Sequence, residues 1–280
     1  MSQFNKIALV FVLLSMGGCS GTTFVYNRLG FLISWYVDDY VNLSWEQRSE
    51  LRVLLRPFLQ WHRGQELPLY LDILENIEAL LEQKISGEDV AAIASQFEQA
   101  WYRTEWKSLE WMLGLGEQLS DAQMAEFLQS LQDKQLEYEE EYLTRSDEVF
   151  RKETYENLRD PVQDYLGRLD WGQREVLRQV SADLRRSDSI WLEERVAWLG
   201  RLEDLLQREP GWQQAVRDAI AQRQQTVSEG YLEVYEYNAR VIHNGLARLL
   251  NTRTDKQDWR LRKKIGELHE DIQTLVDQGP

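Results

Sequence analysis

A histidine and a carboxylate four residues apart form the polar pair in this sequence that best fits acid–base chemistry. They are His62 and Glu66, with Arg63 beside the histidine, in "WHRGQELP". If both side chains lined one cleft, they would be placed to move a proton. The alternative is structural: a helix ends at residues 62–64, where a cation complements the helix dipole, and Glu66 opens the next helix, in which Pro68 is tolerated. The spacing favours the structural interpretation.

Cys19, the one cysteine of the chain, stands where a lipid can be attached. It follows Lys6, an apolar run over residues 7–16, and two glycines. A membrane-spanning helix needs about 20 apolar residues, so this run is too short to cross a bilayer. Residues 1–18 are therefore predicted to be a signal peptide. The stretch "MGGCSG" resembles the lipobox of bacterial lipoproteins, in which the cysteine thiol accepts a diacylglycerol.

The lipobox resemblance implies an acylated mature chain that begins at Cys19, with fatty acids such as palmitate as its anchor. The residue that follows is Ser20 rather than aspartate. In enterobacterial-type sorting this resembles export to the outer membrane, so we expect the protein on its periplasmic face. The alternative is an ordinary cleaved signal peptide. With one cysteine there is no disulfide framework, and stability must come from the core.

Two adjacent carboxylates, Asp38 and Asp39, close the first predicted helix. Neighbouring side chains on a helix point about 100° apart, so a shared proton is not expected. Pairing with Arg28 or Arg63 is the expected role of these carboxylates.

The first predicted helix, "FVYNRLGFLISWYVDDYV", has two possible positions. Because it starts a few residues after Cys19, it is close enough to the anchor to lie at the lipid interface. The stripe formed by Leu29, Ile33, Tyr36 and Tyr40 instead favours burial as the central core helix.

An acidic cluster and the tryptophans are the remaining candidates for binding. Glu137, Glu139, Glu140 and Glu141 lie within "LEYEEEYL". Carboxylates on one helix lack the converging loop geometry that calcium prefers, so a solvated face is expected. No histidine or cysteine grouping has metal-ligand spacing, and neither a metal nor a cofactor is predicted. The 11 tryptophans indicate core packing, unless several are exposed together, which would mark a protein- or peptide-binding groove.

The charge of the chain limits its partners. The formal net charge is −15 at neutral pH. Such a surface repels phosphate backbones, so nucleic acid is not an expected partner. The sequence also has no polybasic patch for anionic lipids, which leaves the acyl chains as the membrane contact.

The remainder of the sequence predicts an all-α fold, a bundle of amphipathic helices. Apolar residues recur at helical spacing, and the chain has only five prolines. Helix starts carry a capping box, in which a small oxygen side chain accepts the backbone N–H three residues on and a glutamine reaches back. A large apolar residue follows seven positions after each cap. The predicted boxes are Ser44 with Gln47, Ser120 with Gln123, Asp170 with Gln173 and Thr254 with Gln257.

The same signals predict two related helical halves. "LSWEQRSELR" at 43–52 returns as "LDWGQREVLR" at 169–178, and the boxes within each half are 76 and 84 residues apart. We expect a tandem duplication with a lipidated tether at 19–23, one half at 24–168 and the other at 169–280. Pro161 and Gly167 mark the seam. The alternative is that amphipathic helices with one start signal look alike.

Two family resemblances follow from the motifs. The stretches "YNRLGFLISWYVDDYVNLSWEQ", "WHRGQELPLY" and "LSDAQ" resemble DUF6279, a family of proteobacterial lipoproteins of unknown function. That resemblance implies a lipid-anchored, all-helical envelope protein. The boxes are also similar to those of the Spy/CpxP group of periplasmic helical chaperones, although helix-start chemistry alone accounts for them.

These observations predict a non-enzymatic, lipid-anchored helical protein that binds proteins or peptides as a scaffold or chaperone-like factor. Motifs of hydrolases, nucleotide-binding proteins and zinc proteases are missing from the sequence. Two alternatives remain: an enzyme of unrecognised class with a cleft near His62 and Glu66, and a carrier of an apolar ligand between the helices.

Overall fold

The computed structural model describes residues 21–279, which are helical almost throughout and contain no strand. The predicted signal peptide, Cys19 and Ser20 lie outside the described residues. The all-α prediction is confirmed. The helices are α1 (Gly21–Tyr26), α2 (Leu29–Asp38), α3 (Trp45–Trp61), α4 (Leu67–Leu80), α5 (Gly87–Gln118), α6 (Asp121–Leu143), α7 (Asp147–Leu166), α8 (Trp171–Asp183), α9 (Asp188–Leu205), α10 (Trp212–Ala221), α11 (Glu229–Asn251) and α12 (Asp255–Asp277).

Short oxygen-bearing side chains begin most of the long helices, because they satisfy N–H groups that have no partner within the helix. The four predicted boxes have this geometry, at the starts of α3, α6, α8 and α12. A fifth box, Ser86 with Asp89, begins α5. The sequence pattern required glutamine at the third position, so it missed this box, in which the Asp89 carboxylate accepts the Ser86 N–H.

The α-helical geometry of α3 ends at Trp61 with His62 as its C-cap, close to the predicted end at residues 62–64, but the chain stays helical beyond it. A π-helical turn, His62–Glu66, joins α3 directly to α4. The Leu67 N–H bonds the His62 carbonyl, five residues back. A π-turn absorbs one extra residue and rotates the face that follows it, which turns Glu66 into the interior, where it is 1% exposed.

Two hydrophobic cores hold the helices together. The first core contains Val41, Leu43, Leu51, Leu55, Leu109, Leu113, Leu115, Leu119, Met124, Leu206 and Val216. The second core contains Leu67, Leu74, Leu81, Ile85, Val162, Leu166, Leu169, Leu177, Ala247, Leu249, Leu261, Ile265, Ile272 and Leu275.

Both cores take residues from both predicted halves. The long helix α5 packs against α3 of its own half and against α11 of the other, and α4 packs against α12. Two close approaches need glycine: a Cβ on Gly87 would lie 1.9 Å from the Asn244 side chain, and a Cβ on Gly245 would lie 2.2 Å from the Val180 side chain. The predicted halves are therefore interleaved in space.

Of the two residues that mark the predicted seam, only Gly167 ends a helix. Pro161 does not break a helix, since it lies inside α7. Gly167 ends that helix with φ +79°, a conformation that residues with a Cβ rarely adopt.

The first predicted helix is not the core helix that its stripe favours. It divides at Asn27 and Arg28 into α1 and α2, and α2 contains no buried residue. Ile33 and Val37 pack against the first core, whereas Tyr36 is exposed. Residues 21–23, assigned to the tether, already belong to α1.

Candidate functional site

The helix starts of α3 and α6 are joined by a pair of glutamines, the first glutamine pair. Gln47 Nε2 donates to Gln123 Oε1 at 2.9 Å, and Gln123 Nε2 donates back to Gln47 Oε1 at 2.8 Å. Each amide nitrogen also bonds a backbone carbonyl two residues before the partner's cap, Gln118 O and Asn42 O. Each box therefore caps its own helix and holds the start of another.

The starts of α8 and α12 repeat this arrangement in the second glutamine pair. Gln173 and Gln257 exchange two bonds of 2.9 Å. Their amide nitrogens bond Thr252 O and Arg168 O, again two residues before the partner's cap. The repeated register is what a tandem duplication would leave, and the duplication stays a prediction.

The predicted polar residues are each held by a separate partner. His62 Nδ1 lies 2.9 Å from the Tyr26 hydroxyl. Burial lowers the pKa of His62 to about 4, which keeps the ring neutral at physiological pH. Aromatic rings surround it, including those of Phe58, Trp61 and Tyr70.

Glu66 forms a bidentate ion pair in the interior. Arg103 Nε and Nη2, from α5, donate to its two oxygens at 2.9 and 2.7 Å. Both oxygens of this carboxylate are therefore bonded to one guanidinium in a bidentate arrangement. Neither Glu66 nor His62 lines either of the two cavities described below.

The other members of the predicted site are spread over the surface. Asp38 pairs with Arg48 at 3.2 Å, not with Arg28 or Arg63 as expected. Asp39 is exposed. The Arg63 guanidinium donates to the Asn27 side chain and to the carbonyl of Gly279. Asp38 therefore links α2 to α3, and Arg63 links the π-turn to Asn27 and to the backbone just after α12.

A polar cavity of about 570 Å³ lies beside the start of α12. Asp258 is held in it by Arg253 and Arg262, at 2.6 and 2.7 Å. Arg262 also forms an ion pair with Glu82. Because these charges neutralise one another, the cavity offers a ligand little unpaired charge.

The second cavity is a groove between α6 and α9. It is apolar and about 360 Å³ in volume. The two helices run antiparallel, since Arg145 at the end of α6 pairs with Asp188 at the start of α9, and Arg195 further along α9 reaches back to Leu131 O. The groove is lined by Glu139, Leu143, Ser189, Leu192, Glu193, Val196 and Ala197.

The groove has an apolar floor and an acidic rim. Leu192 is buried at its base, while Leu143 and Val196 are half exposed on its sides. Leu136, also exposed, is seven residues before Leu143 and so lies on the same face of α6. Glu139 and Glu193 are also among the lining residues of the groove.

Sequence reasoning missed this groove because its residues look like surface. It noted Glu139 only as part of an acidic run. The available sequence signal was the pair of leucines, Leu136 and Leu143, that flanks this charged run. In the structure both leucines are half exposed or more. Arg103 and Tyr26 carry no local signal, because their partners are 37 and 36 residues away.

The fold is all-helical, and it carries an apolar groove at its surface. No helix in residues 21–279 has the length and apolar character needed to cross a bilayer. Within the same residues, no group of three or more histidine, cysteine, aspartate or glutamate side chains could hold a metal ion.

The sequence matches DUF6279, described as a family of unknown function, over residues 39–232. The chain belongs to this family, as its motifs predicted. No curated protein matches it, and no solved structure does either.

Proposed function

We propose that this protein is a lipid-anchored binding protein of the outer membrane, held at Cys19, that takes apolar and basic polypeptide segments into the α6–α9 groove. It acts as a scaffold or chaperone-like factor and carries out no reaction of its own. The observation that supports the binding role is the groove itself, an apolar floor with carboxylates at its edge.

The groove favours a particular kind of partner. An apolar channel between two helices is the surface on which an amphipathic helix lays its apolar face. Glu139 and Glu193 beside it, on a chain of net charge −15, attract lysine and arginine and repel acidic segments. A segment with leucine-like residues on one face and cations beside them is therefore the expected ligand.

The absence of a reaction is supported by the way the candidate polar groups are occupied. Glu66 is enclosed by Arg103, and His62 is held by Tyr26. A general base needs a free lone pair that faces its substrate. In this protein both Glu66 oxygens accept from Arg103 of α5, and His62 Nδ1 is hydrogen-bonded to Tyr26 of α1.

Peptide binding tests the role of the groove. The probe is a fluorescent amphipathic peptide of leucine and lysine, about 14 residues long to give about four helical turns, measured by anisotropy. The full chain carries Cys19→Ala, so that no acyl chain competes for the probe. The peptide should bind, and its leucine–glutamate counterpart should bind about tenfold more weakly because the rim repels it.

Val196→Asp and Val53→Asp provide a matched comparison, since these valines are 50% and 52% exposed on different helices. Val196→Asp should weaken binding of the leucine–lysine peptide about tenfold, because it places a charge in the apolar channel. Val53→Asp should leave binding unchanged. Equal losses in both variants, or equal binding of both peptides, would contradict the proposal.

Acylation of Cys19 tests the anchor independently. In a Gram-negative host, wild-type protein should incorporate radiolabelled palmitate and sediment with the outer membrane on a density gradient. Cys19→Ala should take up no label. An unlabelled wild-type protein would remove the anchor from the proposal and leave the groove untouched.

A further inference from the structure

The outward face of α1 and α2 is an aromatic stripe that the described chain leaves uncovered. Phe31 and Trp35, four residues apart, are exposed on one side of α2, and Phe24 of α1 and Arg28 between the two helices are exposed as well. Tyr36 is exposed beside them. The Arg28 guanidinium lies over the Phe24 ring, 3.4 Å from its centre.

The opposite side of these helices already has its partners. Ile33 and Val37 pack against the first core, and Gly30 faces Leu59 of α3. Tyr26 reaches His62, and the Asn27 side chain bonds Gln278 at the end of α12. The aromatic stripe is therefore additional apolar surface, held on a fixed support.

The position of the anchor indicates what covers the stripe. Cys19 precedes Gly21, the first residue of α1, by two positions. Two extended residues span at most about 7 Å, so acyl chains on Cys19 would enter the bilayer beside α1. A stripe this close to the lipid attachment is brought to the membrane surface by the anchor.

The chemistry of the stripe matches the bilayer interface. Tryptophan and tyrosine concentrate at the headgroup level, and an amphipathic helix there buries its apolar face about 5–10 Å deep. Arginine beside the rings keeps its charge among the headgroups. With one arginine and no polybasic patch, the contact depends on apolar burial rather than on anionic lipid.

We propose that the Phe24–Tyr36 face of α1 and α2 lies in the lipid headgroup interface beside the acyl chains of Cys19, as a second membrane contact that fixes the orientation of the protein. This inference rests on the proposed lipid anchor. It takes up the interfacial position that the sequence left open for the first predicted helix, and it replaces the expectation that the acyl chains alone contact the membrane.

Spin labels on single introduced cysteines measure the contact. Because an acylated Cys19 is a thioether, the wild-type protein has no reactive thiol, and Phe31→Cys or Trp35→Cys carries the one label. The matched control is Trp171→Cys, since Phe31 and Trp171 are both 70% exposed.

The control position is far from the aromatic stripe. The start of α8 meets the start of α12 through Gln173 and Gln257, whereas Asn27 meets α12 at Gln278. A rise of 1.5 Å per residue separates these contacts by about 30 Å.

The lipidated protein is reconstituted in vesicles of phosphatidylethanolamine and phosphatidylglycerol. Labels at 31 and 35 should collide with an aqueous nickel chelate at least about fivefold less often than the label at 171, and more often with oxygen, because they lie at the boundary between headgroups and acyl chains. The difference should persist in phosphatidylcholine vesicles, which carry no net charge.

The outcomes separate the contact from the anchor. If labels at 31 and 35 are as open to the chelate as the label at 171, the contact is refuted and the anchor stands. Dipolar broadening between labels at 31 would show that a second copy covers the stripe, which also refutes it. If the wild-type protein itself takes up label, Cys19 is a free thiol and the proposed anchor fails.

Discussion

The two glutamine pairs have the same hydrogen bonds in very different surroundings. In the second pair Gln173 and Gln257 are 1% and 6% exposed, whereas Gln47 and Gln123 of the first pair are only partly buried. In both pairs the amides exchange bonds and reach a carbonyl two residues before the partner's cap. One local motif therefore operates once near water and once inside the second core.

The difference shows that geometry and energetic contribution are separate properties of a motif. A lost hydrogen bond near water is replaced by one to solvent, whereas a buried polar group left without a partner keeps its full desolvation penalty. The second pair is therefore expected to contribute more to stability than the first.

Gln173→Leu should destabilise the protein by about 3 kcal/mol, and Gln47→Leu by about 1 kcal/mol. Leucine has a similar volume, so the change removes bonds rather than packing. At the second pair it leaves the Asp170 N–H and the Thr252 carbonyl without the partners they have now. Urea denaturation of both variants measures the difference. Equal losses would mean that water reaches the two pairs alike.

Acid should lower the free energy of unfolding through the protonation of His62. The first glutamine pair contains no histidine and should not contribute to this loss. Since burial lowers the pKa of folded His62 to about 4, the unfolded chain binds the proton first as the pH falls below about 6.5. Stability is therefore highest above that pH and declines towards pH 4, by at most about 2 kcal/mol at pH 5.

His62→Gln removes this titration and provides the control. The wild-type protein should lose more free energy of unfolding between pH 7.5 and 5 than the variant does, each measured by urea denaturation. An identical decline in both proteins would show that His62 does not contribute. His243, whose pKa is also lowered by burial, titrates in both proteins and cancels in the difference.

The arginines that follow the first box of each half provide the smallest test. Arg48 pairs with Asp38, whereas Arg174 makes no ion pair within residues 21–279. Both partners of the Arg48 pair are about one-third exposed, so Arg48→Met should lose no more than about 1 kcal/mol, and less at high salt. Arg174→Met should be neutral. A double-mutant cycle with Asp38→Asn measures the coupling energy of the ion pair. A coupling of zero would show that the pair does not contribute to stability.

The capping boxes illustrate what could be predicted from sequence. A cap and its third residue are close along the chain, so their bond depends on local geometry alone. The residues seven positions on, Leu51 and Leu177, are buried, as the helical period predicts. The exchange between boxes could not be predicted, because it joins residues 76 and 84 apart.

The contacts of His62 and Glu66 could not be predicted from the sequence. His62 and Glu66 are close in sequence, and a regular helix would put them on one face. The π-turn changes that spacing, and Arg103 and Tyr26 then hold the two side chains separately. The core stripe assigned to the first helix failed for a related reason: Tyr36 and Ile33 both suit burial, and only the neighbouring α3 determines which of them is covered.

The sequence by itself determined the helices, their starts and the family, because capping bonds and apolar periodicity act over a few residues. It also predicts lipid attachment at Cys19, since that signal is a short linear motif. The tertiary structure decided which polar groups are paired, how the two halves interleave and where the α6–α9 groove opens. These properties depend on which helix packs beside which, and that choice is made by contacts between residues far apart in the chain.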